Sequence, residues 1–178
     1  IEQALSDPNK DVRVAGLDLL DNLDIPKDLA VNLLTEVIEK RTMEEKQAAV
    51  ITLGSIPLEN SGPTLTGMLD QLEQGSLPQE IHLELVEAIE ASGSEELNNR
   101  YKDYYSGLSE DSLVATYAGS LYGGDVEIGR RVFYRHQSAQ CIRCHAYDDM
   151  GGNAGPALNG IGAKLTREQM LEALVDPS

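Results

Sequence analysis

Apolar residues recur at helical spacing along this chain, and the recurrence itself repeats. Asp11-Val12-Arg13-Val14-Ala15-Gly16-Leu17-Asp18-Leu19-Leu20 carries one amphipathic pattern, preceded by the turn signal Asp7-Pro8-Asn9. A similar stretch returns 33 residues later, from Glu44 to Leu53, and a weaker copy runs from Glu80 to Ile89. Between the copies, 29–38 and 63–72 are amphipathic as well. Further helices are predicted over 95–105 and 110–120. A helix pair of this kind hides its apolar stripe only by stacking on the next pair. Alternation at a few dozen residues therefore predicts an all-α fold of the α-solenoid type over 1–121. A generic helical bundle is the competing architecture. With no Trp and one Phe in 178 residues, Leu, Ala, Val and Ile must fill the interior.

The start Asp7-Pro8-x-x-Asp11-Val12-Arg13 resembles a HEAT repeat. The resemblance implies that an Asp caps the helix, Val12 packs inward and Arg13 bonds to the neighbouring repeat. The later copies depart from this pattern. His82, in the third copy, reads as an ordinary helix residue. Tyr101, Tyr104, Tyr105, Tyr117 and Tyr122 gather before the expected boundary near 121–124. Their simplest role is packing with the hydroxyls reaching water or backbone, and a second is lining a contact between domains.

Charge divides at the same place. Residues 1–121 hold 23 acidic and 8 basic side chains, a net of −15, whereas 122–178 hold 7 and 6, a net of −1. An acidic first part serves solubility or steers a basic partner, more weakly as salt rises. No basic stripe exists for nucleic acid. No apolar run approaches membrane-spanning length, and membrane contact is not indicated. The chain starts at Ile1 without an apolar leader and reads as a fragment of a longer product.

The second part carries Cys141-Ile142-Arg143-Cys144-His145, the only two cysteines of the chain. C-x-x-C-H is the attachment pattern of a c-type haem. Two thiols three positions apart can add to the two vinyl groups of one porphyrin, and the adjacent imidazole can bind its iron. A thioredoxin-like pair would need a preceding strand in an α/β unit, which the pattern lacks. A zinc site assembled from Cys141, Cys144, His145 and His136 is conceivable, at unusual spacing.

The surroundings of the motif resemble a class I cytochrome c domain across 122–178. Gly124 to Phe133 is similar to that family's first helix, with a Gly and an aromatic four residues apart. Gly155-Pro156-Ala157-Leu158-Asn159-Gly160 is similar to its G-P-x-L-x-G segment. Leu165 to Pro177 is similar to a short helix ending in an Asp-Pro pair. Local chemistry agrees with these elements. Asp125 can cap the first helix with Glu127 in its first turn, and Thr166 with Gln169 forms a capping-box pattern. The resemblance implies one covalent haem c held by Cys141 and Cys144, His145 as the metal ligand, and the Pro156 carbonyl accepting the second imidazole hydrogen. Val132 and Phe133 would offer apolar surface to the group. The family's distal Met and final helix have no counterpart before Ser178, so the domain reads as truncated. Met150, Met170 and His136 are each poorly placed as distal ligands.

The expectation is thus a HEAT-like scaffold (1–121) followed by a cytochrome c-like domain (122–178), an arrangement similar to bacterial multidomain dehydrogenase-type proteins. It implies electron transfer with a redox partner protein or an upstream dehydrogenase domain, in a periplasmic or other extracytoplasmic space. The fragment itself need not be catalytic. Two other classes compete with this: a five-coordinate haem enzyme or ligand sensor, and a protein-interaction scaffold.

Overall fold

A computed structural model describes residues 2–107 and 112–176. The protein is mostly helical, and it divides into two compact units, Ile1–Gly123 and Gly124–Ser178.

In the first unit, α1 (Glu2–Leu5), α2 (Lys10–Asp18), α3 (Lys27–Lys40), α4 (Met43–Ser55), α5 (Leu58–Glu73), α6 (His82–Ser92), α7 (Glu95–Ser106) and α8 (Ser112–Tyr117) follow in chain order. Helices alternate between two layers. α4 lies between α2 and α6, while α5 lies between α3 and α7, and α3–α4, α5–α6 and α6–α7 contacts join the layers. The predicted segment 110–120 lies partly outside the described residues. Its described part is α8 followed by a 3₁₀ turn at Ala118–Ser120.

Local chemistry sets the helix ends. Asn9, not an aspartate, caps α2: its side-chain oxygen accepts from Asp11 N at 2.9 Å, and Asp7 Oδ1 accepts from Asn9 N at 2.7 Å. The buried stripe of α2 falls on Gly16 and Leu17 and continues to Leu20, so Val12 is 40 % exposed rather than inward. Arg13 does reach the next layer member, with Nε 2.8 Å from Glu45 Oε1 on α4. Helix α5 starts at Leu58, five residues before the predicted start, and runs through Pro63. A proline within a helix costs one backbone bond, and burial of Leu65, Met68, Leu69 and Leu72 outweighs it. Where α4 and α6 meet, Gly54 is obligatory: a Cβ there would lie 2.6 Å from Ala88 Cα.

The core is aliphatic, as composition requires. Leu34, Leu53, Leu65, Leu69, Leu85 and Ile89 are fully buried. Each such side chain stabilises by about 1.5–3 kcal/mol relative to exposure. The unit extends past residue 121 because Tyr122 is held to α6. Its carbonyl accepts from Leu83 N at 3.2 Å, and its ring meets His82 edge-on.

The second unit is differently built. It contains α9 (Val126–Arg135), a 3₁₀ turn at Cys141–Arg143, the strands β1 (Ala146–Tyr147) and β2 (Met150–Gly151), a 3₁₀ turn at Ile161–Ala163, and α10 (Arg167–Val175). Both predicted caps form: Asp125 Oδ1 accepts from Ile128 N at 2.7 Å, and Thr166 and Gln169 make the reciprocal pair at 2.9 and 3.3 Å. The glycine-rich loop after His145 contains a hairpin that an all-helical reading misses. Asp148 and Asp149, at φ 49° and 59°, make the two-residue turn that pairs Tyr147 with Met150. Pro177, half of the Asp-Pro pair, lies outside the described residues.

Candidate functional site

The cysteine motif is a single helical turn. Gln140, at φ 47°, starts it, and the Cys141 carbonyl accepts from both Cys144 N (3.3 Å) and His145 N (3.0 Å). Both thiols are free; Cys141 is half-buried and Cys144 exposed. Two free thiols are therefore carried on one turn, with the imidazole of His145 directly after it.

That imidazole is fixed. His145 Nδ1 lies 2.9 Å from the carbonyl oxygen of Pro156. A carbonyl can only accept, so Nδ1 carries the hydrogen and Nε2 keeps a free lone pair. A hydrogen bond of this kind fixes ring orientation and makes Nε2 a stronger metal donor.

The loop from Gly151 to Pro156 lies on the turn through backbone contacts. Gly152 N donates to the Ile142 carbonyl and Gly155 N to the Cys144 carbonyl, each at 2.8 Å. The hairpin is anchored on its other side. Tyr134 donates its hydroxyl to the Tyr147 carbonyl at 2.9 Å, and the Asn159 side chain exchanges two bonds with Asp148 at 3.2 Å.

The apolar surroundings are open. Among the described residues of this unit only Leu171 is buried. Val126 (79 %) and Leu174 (78 %) are largely exposed, and Ile128, Val132 and Met150 are exposed too. A cleft of about 270 Å³ is lined by apolar and aromatic side chains, among them Val126, Phe133, Tyr147, Leu158 and Ile161, together with the charged Arg130. The described residues of this unit thus leave most of their apolar side chains uncovered.

The other candidates sit apart from this arrangement. His136 ends α9, and its Nδ1 accepts from Ser138 N (3.3 Å) and Ala139 N (3.1 Å). Among the described residues, no three His, Cys, Asp or Glu side chains gather at one point, so the zinc set with His136 is not assembled. Met150 stands exposed beside the hairpin turn, and Met170 is half-buried next to Leu171. Comparison with protein families, curated proteins and solved structures finds no match. The reading of the site rests on its own residues.

The first unit holds a second hollow, of about 750 Å³, lined by Leu83, Val86, Tyr101, Tyr105, Tyr117 and Gly119 among others. Tyr101 donates its hydroxyl to Glu90. Among the described residues, the buried Tyr105 hydroxyl has no hydrogen-bond partner.

Sequence reasoning missed Gly152 and Gly155 as parts of the site. In the sequence, Gly155 stands out only as part of the G-P-x-L-x-G resemblance and Gly152 only as part of a glycine-rich loop, because what requires them is contact with residues several positions earlier.

Proposed function

We propose that the second unit is a cytochrome c-type electron-transfer domain that binds one haem c. Cys141 and Cys144 would attach it and His145 would ligate its iron. The observation that carries this reading is the 2.9 Å bond from His145 Nδ1 to Pro156 O, beside two free thiols on one turn. The exposed apolar side chains among the described residues, Val126, Ile128 and Val132 on α9, are compatible with a large apolar group.

Each residue has a task in this reading. Cys141 and Cys144 would each hold the group through a thioether at Sγ. Pro156 holds the His145 ring, so that Nε2 faces outward as a strong donor. Phe133, Val132 and the cleft beside α9 supply apolar surface that excludes water. When bound, the haem supplies reversible one-electron transfer at its iron.

The first unit would be a HEAT-like scaffold. Its two-layer alternation of helices and the Arg13–Glu45 bond between successive copies support that assignment. Its charge would favour a basic redox partner, or the unit would present the haem domain to an upstream dehydrogenase domain. Haem attachment of this type places the protein outside the cytoplasm, in a periplasm-like space. No helix among the described residues is long and apolar enough to cross a membrane.

The test is expression in a host that matures c-type cytochromes. The protein should carry a haem stain through a denaturing gel, with a mass increase of one haem, and Cys141→Ala with Cys144→Ala should abolish both. A matured sample of unmodified mass would overturn the proposal.

A further inference from the structure

The ring of His145 lies directly against the backbone of Gly155. A Cβ at that position would sit 2.5 Å from Cε1, 2.8 Å from Nδ1 and 3.0 Å from Nε2 of the imidazole. These distances lie inside van der Waals contact, and the obstacle is an aromatic ring already hydrogen-bonded to the Pro156 carbonyl rather than the free end of a flexible chain. Gly155 does not need glycine for its φ; it needs glycine for space. The same residue donates its N–H to the Cys144 carbonyl, and the next residue's carbonyl takes the Nδ1 hydrogen. Gly155 thus stands between the two bonds that join loop and motif. Gly152 is equally tight, but against a different part: a Cβ there would overlap the carbonyl of Arg143, within the cysteine turn.

We infer that Gly155 is a positioning residue for the iron ligand, and that the loop divides its work. Gly155 sets the imidazole through the Pro156 carbonyl, whereas Gly152 sets the turn that presents the thiols. This rests on the reading of His145 as the iron ligand. A methyl group at 155 pushes the ring off the carbonyl, and the bond that orients the ring and strengthens Nε2 as a donor is lost. The three atoms nearest the added methyl all belong to the ring and none to a cysteine. Gly155→Ala should therefore attach haem normally yet bind the iron less firmly, while Gly152→Ala should lower the yield of attachment.

The experiment uses the matured full chain. Haem stain on a denaturing gel reads attachment, and the visible spectrum followed to low pH reads the midpoint at which the imidazole is protonated off the iron. Gly155→Ala should keep the wild-type stain and raise that midpoint by about one pH unit, a tenfold change in proton concentration, the size of one lost hydrogen bond. Gly162→Ala, where a Cβ meets nothing within 4 Å, is the matched control and should leave the midpoint alone. If Gly155→Ala does not fold, proton NMR of the wild type decides. A slowly exchanging Nδ1–H on His145, with a close contact between its Hε1 and the Gly155 α-protons, supports the inference, and absence of either refutes it. A wild type that takes up no haem defeats the functional reading and this inference with it. A haem-loaded Gly155→Ala with an unmoved midpoint defeats the inference alone.

Discussion

Replacing Glu45 with Gln tests the bond that ties the first helical copy to the second. The Glu45 side chain is 3 % exposed. Its Oε1 lies 2.8 Å from Arg13 Nε, and its Oε2 lies 3.2 Å from Arg13 Nη2 and 2.8 Å from the Thr42 hydroxyl. The Arg13 guanidinium, aided by Thr42, holds the carboxyl at about 2 rather than the ordinary 4.5, although burial acts in the opposite direction. A drop of that size corresponds to about 3 kcal/mol of stability at neutral pH. The folded value lies below the unfolded one. The contribution is therefore complete above the unfolded value and is lost as pH falls toward 2, with about 2 kcal/mol gone by pH 3. Glu45→Gln keeps the shape and removes the charge. Arg13 still donates to the carbonyls of Asp7 and Pro8, at 2.8 and 3.2 Å. The cost should thus sit near 2–3 kcal/mol, at or below the lower end of the range for a stranded buried charge. Urea unfolding of both proteins at pH 7 and pH 3 measures it. The gap should shrink by about 2 kcal/mol at the lower pH. An equal gap at both values, or a gap at pH 7 below about 0.5 kcal/mol, as for an exposed pair, would refute the reasoning.

Gly54→Ala should destabilise the first unit by about 1–3 kcal/mol, because the added methyl meets the Ala88 backbone, which cannot step aside as a side chain could; thermal unfolding of the matched pair reads this. Tyr105→Phe should be neutral or stabilising by about 1 kcal/mol, since it removes a buried hydroxyl that has no partner among the described residues. Burial pushes the Tyr105 hydroxyl up to about 12, above its ordinary 10, with Tyr104 adding to the shift. The folded state thus holds this proton longer than the unfolded one, and stability should decline between those two pH values, less steeply in Tyr105→Phe. Denaturant titrations across that range check the slope.

Much of the helical frame was legible because helix formation is local. Apolar periodicity located α2, α3, α4, α6 and α7, and side-chain chemistry marked the caps at Asp125 and Thr166. Where a competing local choice existed, the sequence was ambiguous. Asp7, Asn9 and Asp11 can all cap, and Asn9 wins by bonding Asp11 N while Asp7 braces Asn9. Pro63 reads as a helix start, yet tertiary burial carries α5 through it. The Asp148–Asp149 turn was hidden because aspartate enters the left-handed region less often than Asn or Gly. At the site, the thiol and imidazole spacing was visible in five residues. The 2.9 Å contact with Pro156 was expected only through the cytochrome resemblance, and the demands on Gly152 and Gly155 needed three dimensions.

Leu171, alone as a buried side chain among the described residues of its unit, bears on the order of biosynthesis. On the haem reading, the apolar side chains these residues expose would be covered only once the group is attached. Chains left unloaded would then be more open to proteolytic clearance. The amount of this unit in the cell would then follow haem supply more closely than gene expression.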